Sequence, residues 1–388
     1  MRPLIAGCTV GLGVSWNVAN TGAVAETLAR HYAVGLGAVG LLTSMVFFAE
    51  IAVMIPGGRA IDRWGARGAG LVALAACVAG NLLAAAVSGI AAALAARFVV
   101  GLGVGLGFVA GSIYVQSARH VTGAAAQGLY GGLSLAGGGL ALAIVPPVEA
   151  WIGWSSPYVS GAVVAALAIG VVCLGPATPG GVAGGAPPRV RALLTDRRLV
   201  RLGVLHSATF GFSIVLGSWI VTLLERNAGY GSTAAGTAGA LVLVMGVIAR
   251  PLGGWLAGGR RDATARLIAV SVVLGAAGGA ILASGAPAPV LVLATAAVGL
   301  AAGLPFGPVF TAAARSLPGS PGAAVGAMNL YAVITIVIGA PLLGLAFSLP
   351  GDGRIGFAAV ALLWAVAGAA TGRGVAGLAT GPEPARGS

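Results

Sequence analysis

Three ionisable side chains lie inside long apolar runs of this sequence, and their types suit them to chemistry. They are Glu50, Arg97 and Arg250. A charge near the centre of a bilayer costs about 2.5–3.5 kcal/mol on insertion scales, so such residues persist where they face protein or water. If the apolar runs cross a membrane, each of the three is a candidate functional residue.

Arg250 stands in the string GVIARPLGGWLAGG, about two helical turns before the end of its run. Pro251 removes a backbone donor and favours a kink that would aim the guanidinium into a cavity. The planar fork of an arginine suits a small oxyanion or a carboxylate better than a lysine does. The alternative is that Arg250 snorkels to the cytoplasmic headgroups.

Glu50 is the one acidic residue inside a predicted span, and two interpretations stand. A carboxyl group removed from water would accept and release a coupling proton. Alternatively, Glu50 forms a structural ion pair with Arg97 on a neighbouring helix. Arg97 also has a structural alternative of its own, in which it donates hydrogen bonds to backbone carbonyls and locks helix packing.

Smaller polar side chains fall on the same set of apolar runs. Asn17 and Asn20 are three residues apart and so lie on one helix face. Any single one is interpreted as interhelical glue, but the set would line a polar cavity and bind substrate. The set consists of Trp16, Asn17, Asn20, Tyr130, Asn329 and Tyr331, and His206 is a further polar residue of this kind.

Composition places the chain in a membrane. Of its 388 residues 58% are hydrophobic and 8% are charged, and the mean hydropathy is +1.00. All 21 basic residues are Arg, giving a formal net charge of +12. With the N-terminus inside, 16 of the 21 fall on cytoplasmic segments, which is the positive-inside rule and not a surface for nucleic acid.

Reactive residues do not cluster. The three Cys and three His are far apart, without a C-x-x-C spacing, so neither a disulfide framework, a metal site nor a cofactor site is predicted. A P-loop, a nucleophile with its base and an acid pair are likewise missing from the sequence. We therefore predict that the protein is not an enzyme and is not driven directly by ATP.

About twelve apolar runs reach the roughly 20 residues that one membrane crossing requires. We predict an all-α membrane protein in which twelve transmembrane helices form two pseudo-symmetric six-helix bundles. The predicted parts are an N-terminal bundle at 1–176, a cytoplasmic linker at 177–200, a C-terminal bundle at 201–377 and a short cytoplasmic tail at 378–388. The Arg-rich second part of the linker is either an interfacial helix or a disordered tether.

The two halves repeat weakly. A shift of 196 residues places Gly57-Gly58 on Gly253-Gly254, and other matches share nearly the same offset. Parallel repeats related by an axis along the membrane normal would enclose a cavity that opens alternately to either side. Alternating access of a solute is the expected consequence.

A hinge separates the second and third predicted spans and reads PGGRAIDRWGARG. It contains a G-x-x-x-D-R-x-G-x-R pattern made by Gly58, Asp62, Arg63, Gly65 and Arg67. Glycines let the backbones approach closely, and the Asp would pair with an Arg or cap a helix N-terminus. The pattern resembles the gating loop between the second and third helices of the major facilitator superfamily. The repeat places Gly258 opposite Asp62, so the acidic contact is expected in the N-terminal half alone.

Two further strings extend the resemblance. The R-F-x-x-G-x-G-x-G string that begins at Arg97 resembles the fourth-helix motif, in which the arginine is associated with substrate or proton handling. The R-P-x-G-G string at Arg250 looks like the cyanate and nitrate/nitrite porter branch, in which an eighth-helix arginine faces the anion. Met54 stands where nitrate porters present a second arginine. A larger, mostly apolar carboxylate, or cyanate, is therefore favoured over nitrate.

The resemblance implies the two-bundle fold and a secondary active transporter that moves a small, anionic solute by proton-coupled alternating access. We expect a monomer in the cell membrane with both termini cytoplasmic. A proton-driven exporter of amphipathic compounds is the alternative. The Gly-rich fifth span resembles the antiporter signature of drug exporters but lacks its Gly-Pro step. A non-transporting receptor would be expected to add soluble domains.

Overall fold

The computed structural model describes residues 1–118, 121–178, 180, 188–258 and 260–380, and within them regular structure is helical throughout. Leucine, alanine and valine together fill nearly half of the positions. Backbone polar groups in lipid must bond internally, which a helix achieves within one segment. The helices are α1 Arg2–Ala19, α2 Ala25–Tyr32, α3 Leu36–Ala86, α4 Ile90–Gln116, α5 Gly123–Ile152, α6 Ser156–Cys173, α7 Val190–Thr195, α8 Arg197–His206, α9 Phe212–Ala228, α10 Ser232–Ala257, α11 Arg261–Ala283, α12 Ala288–Gly303, α13 Phe306–Ser316, α14 Pro321–Leu345 and α15 Arg354–Thr380.

Nine helical segments among the described residues are long and apolar enough to cross a membrane. Two of them, Ala38–Ala86 with 49 residues and Gly123–Cys173 with 51, are each more than twice the length that one crossing needs. Counting each of these as two crossings and adding the 18-residue α1 gives twelve. The helices thus agree with the twelve spans expected from the sequence.

The predicted hinge is a kink inside α3 and not a separate loop. Gly65 has φ +79° and ψ 153° within an otherwise helical run. Residues that have a Cβ rarely adopt this backbone conformation. A Cβ at Gly65 would also overlap the carbonyl oxygen of Thr178. Glycine at this position therefore sets both the turn of the chain and the approach of the segment after α6.

Replacing Gly65 by Ala should destabilise the protein by about 1–3 kcal/mol because the new residue is strained and crowded at once. A fall in the melting temperature of the purified protein measures the effect. Gly68→Ala is the matched control, because Gly68 is helical and the nearest atom to a Cβ there is 3.9 Å away. Equal melting temperatures for the two variants would contradict this account of the kink.

Two predicted spans are interrupted where the apolar pattern continues, and the predicted linker contains helix. A π-helical turn, Ser207–Gly211, interrupts the seventh span between α8 and α9. The tenth span breaks between Gly303 and Phe306 into α12 and α13. The Arg-rich part of the predicted linker divides into the short α7 and the first turns of α8, whose N-terminus is capped by Asp196 through bonds from Arg198 N and Leu199 N. Residues 181–187 of the linker lie outside the described residues.

By residue contacts the chain divides into two compact units. Unit 1 contains Met1–His120, Leu133–Val190 and Leu317–Ala327. Unit 2 contains Val121–Gly132, Arg191–Ser316 and Met328–Ser388. The main change between them, at Val190 and Arg191, falls within the segment predicted as a linker. The bundle boundaries given above stay a prediction.

Each unit has an apolar core and an apolar outer surface. Trp16, Leu42 and Tyr158 belong to the core of unit 1, and Leu216 and Trp364 to that of unit 2. Large apolar side chains are nevertheless strongly exposed, among them Leu167 at 67%, Leu293 at 70% and Val273 at 65%. Exposed apolar helix faces on a chain of this composition fit a surrounding bilayer.

Candidate functional site

Arg250 lies in unit 2, enclosed by aromatic rings. Its guanidinium carbon is 4.4 Å from the ring centroid of Phe306 and 5.2 Å from that of Phe210, and Nη1 donates a 2.7 Å hydrogen bond to the Gly131 carbonyl. The residue is 3% exposed. The rings hold the cation through their quadrupoles, so its position is fixed by packing and not by a counter-ion.

The local sequence explains how a helix can approach this arginine so closely. A Cβ at Gly131 would overlap the Phe306 ring, so a larger residue on α5 would push that ring away from the guanidinium. Pro251 lies inside α10, where a proline ring removes one backbone donor. Phe306 itself begins α13, directly after the break in the tenth span.

The guanidinium is buried, and it has no acidic partner among the described residues. Within those residues one pair of opposite charges has its nitrogen and oxygen atoms within 4.0 Å of each other. This pair is Arg226 and Asp352, which lie 3.8 Å apart on the surface. Arg250 Nε is buried and has no hydrogen-bond partner in the part of the chain that the structure describes. The described part of unit 2 thus contains a buried cation with at least one unused donor, which is the arrangement that a bound anion would complete.

His206 joins the same cluster, although the sequence singled it out only as one polar residue among several. Its ring nitrogen Nε2 lies 3.0 Å from Asn329 Oδ1. The ring stacks on Phe210 at 5.2 Å and meets Phe310 edge-on at 5.1 Å. His206 is the last residue of α8, immediately before the π turn, and such turns often mark functional positions. We name Arg250, His206, Asn329, Phe210, Phe306 and Phe310 the unit 2 cluster.

The phenylalanines of the unit 2 cluster carry no signal in the sequence that separates them from ordinary core residues.

Two further residues that the sequence predicted as substrate-binding, Tyr130 and Tyr331, lie outside the unit 2 cluster. Tyr130 is fully buried on α5, next to Gly131. Tyr331 packs its ring against Gly203 and donates its hydroxyl to the Leu194 carbonyl of α7, at 2.7 Å. Its polar end therefore positions α7.

Arg97 lies in unit 1 and is fully buried. Its Nε donates to the Leu42 carbonyl at 3.2 Å and its Nη2 to the Asn17 carbonyl at 2.5 Å. These bonds tie α4 to α3 and α1, as the packing interpretation of Arg97 expects. Glu50 is 6% exposed and forms no ion pair within 4.0 Å among the described residues, so the alternative Glu50–Arg97 pair is not formed.

The three predicted polar residues at the end of α1 bond to neighbouring helices. Asn17 Oδ1 accepts from Asn81 Nδ2 at 2.6 Å, a partner on α3 that the sequence analysis missed. Asn20 Nδ2 donates to the Pro157 carbonyl at 2.8 Å, and Trp16 Nε1 donates to Ser160 Oγ at 3.3 Å, both toward α6. In this structure these groups hold α1 against α3 and α6.

Asp62 of the hinge caps a helix that is distant in sequence. Its Oδ1 accepts from Gly322 N at 2.8 Å and its Oδ2 from Ala323 N at 3.1 Å, at the N-terminus of α14. The positive end of the helix dipole favours a carboxylate there. Gly58 lies against the backbone of Gly322, where a Cβ would overlap the Gly322 carbonyl oxygen. The cap forms within unit 1, which includes Leu317–Ala327.

The two hinge arginines differ in role. Arg67 binds the C-terminus of α6, where Nε donates to the Val172 carbonyl at 3.2 Å and Nη2 to the Cys173 carbonyl at 2.7 Å. Its backbone N also donates to Thr178 Oγ1 at 3.0 Å. Arg63 is exposed. Position 258, opposite Asp62 in the repeat, is a glycine with φ +50° that ends α10.

The structure is similar to several solved structures that are described as transporters. The structure is similar to FucP in the outward conformation, with a TM-score of 0.79 and 15% identity over 97% of this chain and 99% of that one. It is similar to the proton:xylose symporter XylE at 0.73 and 15%, over 95% and 94%. It is also similar to the human organic anion transporter MFSD10 at 0.71 and 15%, over 95% and 98%.

Sequence comparison reaches the family level. No curated protein matches this chain. The sequence profile of the Major Facilitator Superfamily matches residues 5–340. The narrower resemblance to the cyanate and nitrate/nitrite branch finds no support in these matches. The fold class is confirmed as a twelve-helix fold, and the protein is a transporter and not an enzyme. This multi-pass membrane protein belongs to the Major Facilitator Superfamily.

Proposed function

We propose that this transporter moves a small organic anion with an apolar body by secondary active transport, and that Arg250 binds the anionic group. The proposal is carried by one observation: Arg250 is 3% exposed, lacks an acidic partner among the described residues and keeps a buried Nε without a bond. An uncompensated buried charge is costly, and an anion with oxygen acceptors would relieve that cost.

The aromatic rings around Arg250 favour an anion with an apolar body. Phe306 and Phe210 offer faces within 4.4 and 5.2 Å of the guanidinium carbon, and Phe310 continues the apolar surface. Ligand sites are mostly apolar with a few polar groups that fix orientation. A single arginine with phenylalanines is thus better matched to a hydrocarbon carboxylate than to nitrate, because Met54 stands where nitrate porters have their second arginine.

A thermal-shift experiment with a pair of isosteres tests the proposal. Benzoate carries a carboxylate on a ring, and benzamide has nearly the same shape without the charge. A ligand that binds the folded protein raises its melting temperature, so benzoate should raise it and benzamide should not. Equal shifts would contradict an anion site. They would instead favour the second candidate, an exporter of amphipathic compounds, which the aromatic rings of the unit 2 cluster would also suit.

Glu50 is proposed to carry the coupling proton. It is a buried carboxyl without an ion pair among the described residues, on the long helix α3. FucP and XylE are described as proton symporters, so the fold accommodates such coupling in those proteins.

Positive-inside bias supports placing the protein in the cell membrane with both termini in the cytoplasm, and we propose that it works as a monomer.

Replacing Glu50 by Gln should remove uphill transport and leave ligand binding intact, because the amide keeps the shape but cannot take up a proton at neutral pH. Proteoliposomes with an imposed pH gradient should accumulate benzenesulfonate with the original protein and only equilibrate it with the variant. Glu26→Gln, at an exposed position, is the control. Undiminished accumulation by Glu50→Gln would rule out this role.

A further inference from the structure

An apolar groove runs between α11 and α15 on the surface of unit 2. The two helices cross closely, since a Cβ at Gly275 would overlap the Trp364 ring and a Cβ at Gly368 would overlap Val272. Beside this crossing the side chains are small, and the cavity that they leave has a volume of about 590 Å³. The small residues of the lining are Ala265, Ala269, Ala276, Ala365, Gly368 and Ala369. The volume lies within the range of about 300–1,000 Å³ that is typical of ligand sites.

The length of the groove matches one leaflet of a bilayer. Its lining on α11 runs from Ala265 to Ala276, and a helical rise of about 1.5 Å per residue makes this wall about 16 Å long. The hydrocarbon core of a bilayer is about 30 Å thick, so the groove covers about half of it. An acyl chain reaches the middle of the bilayer from one side, whereas a transmembrane helix of a second copy would cross the whole core. The groove therefore fits an acyl chain better than a helix.

Arginines lie at one end of the groove. Arg261 is one helical turn before Ala265 and therefore on the same helix face, and Arg266 follows Ala265 directly. Both arginines are exposed. Arg266 Nε donates to the Asp262 carbonyl at 3.3 Å, which holds its side chain along the helix toward the N-terminus of α11. The Asp262 carboxylate forms no ion pair within 4.0 Å with any described residue, and together with Arg260 this end of the helix is positively charged.

We propose that this groove binds one acyl chain of an anionic phospholipid, whose phosphate contacts Arg261 and Arg266. Guanidinium groups bind phosphate oxygens through charged hydrogen bonds and often do so in pairs of bonds. The acyl chain fills space that the small side chains leave open and gains dispersion contacts with both helices. With the orientation proposed above, the lipid belongs to the cytoplasmic leaflet, whose surface is negatively charged. The inference does not depend on which solute is transported.

Charge selectivity is the first test. Native mass spectrometry of the full chain, purified in detergent, resolves the binding of single lipid molecules. A basic residue near an anionic headgroup contributes up to about fivefold, so dioleoylphosphatidylglycerol should bind on the order of tenfold more tightly than dioleoylphosphatidylcholine. The double variant Arg261→Gln/Arg266→Gln should lose this preference. Glycerol 1-phosphate should not compete for the site, because it has no acyl chain, and full competition would show a phosphate site instead of a lipid site.

A matched double variant separates this site from general attraction between charges. Arg189→Gln/Arg191→Gln removes the same charge from exposed positions of the predicted linker and should keep the preference for phosphatidylglycerol. If both double variants lose the preference equally, the lipid is selected by the overall positive charge of this side of the protein, and the proposal is wrong.

Filling the groove tests the position of the acyl chain. Ala269→Phe places a ring where the chain would lie and should abolish the tight binding of the first phosphatidylglycerol molecule. Ala280→Phe, at an exposed position of α11 outside the lining, should leave that binding unchanged. The melting temperature checks that each variant folds, and Ala369→Phe on the opposite wall replaces Ala269→Phe if the latter does not fold. Undiminished binding by a folded variant with a filled groove would overturn the proposal.

Discussion

Replacing Arg250 by Lys should abolish uptake of the anion while the protein still folds. The lysine keeps the positive charge and much of the apolar stem. It loses the planar fork that donates to the Gly131 carbonyl and lies over the rings of Phe210 and Phe306. A buried charged hydrogen bond that loses one partner costs about 2–5 kcal/mol, which corresponds to at least about thirtyfold in affinity.

Uptake of radiolabelled benzenesulfonate into proteoliposomes measures this loss, since a sulfonate stays charged and does not leak through the bilayer as a neutral acid. Arg226→Lys is the control, because Arg226 is half exposed and contacts Asp352 across 3.8 Å at the surface. Its uptake should remain within about twofold of the original, as exposed ion pairs contribute little. Normal uptake by a well-folded Arg250→Ala protein would end the anion-site proposal.

Replacing Asp62 by Asn should slow transport about tenfold with a smaller loss of stability. The carboxylate accepts from two backbone donors, Gly322 N and Ala323 N, at the start of α14. An amide keeps one acceptor and turns an NH₂ group toward the other donor, and it loses the favourable charge at the helix N-terminus. Together these losses disfavour the capped arrangement by about 1–2 kcal/mol. If the capped arrangement is one of the two states of the transport cycle, the substitution lowers the population of that state. The transport rate should then fall by about the same factor.

The initial rate of benzenesulfonate uptake and the melting temperature, measured on the same preparation, test this prediction. Asp352→Asn changes the same side chain at an exposed position and should affect neither quantity. Asp62→Glu keeps the charge on a longer arm and should recover part of the rate. A fully active Asp62→Asn protein would show that the cap has no part in the transport cycle.

The twelve spans were predictable because apolar length is a strong signal, and backbone hydrogen bonding in lipid leaves few alternatives to a helix. The kink at Gly65 was expected as a turn, but its helical continuation on both sides was not, because the polar hinge resembles a loop in sequence. The π turn at Ser207–Gly211 lies in an apolar run that continues without change. A bulge of this kind depends on which neighbours pack there, and a single sequence does not contain that information.

The candidate site was predicted in part. Arg250 was singled out by the cost of burying its charge, and the structure places it in a cluster with His206 and Asn329. The same cost argument also selected Arg97, which donates to backbone carbonyls of α1 and α3 and, like Arg250, keeps one buried nitrogen, Nη1, without a hydrogen-bond partner among the described residues. Burial cost identifies residues that need partners. Whether the partner is a carbonyl or a ligand depends on the tertiary structure.

The contacts of the segment after α6 predict where the chain can be divided into two coexpressed fragments. Tyr114 donates its hydroxyl to the Pro176 carbonyl at 2.7 Å, Thr178 bonds to Arg67, and Arg59 donates to the Pro188 carbonyl. Pro176, Thr178 and Pro188 follow α6 in sequence, but they are hydrogen-bonded to residues of α3 and α4. Coexpressed fragments should therefore reassemble when the break is made between Arg189 and Val190, and assemble poorly when the first fragment stops at Cys173.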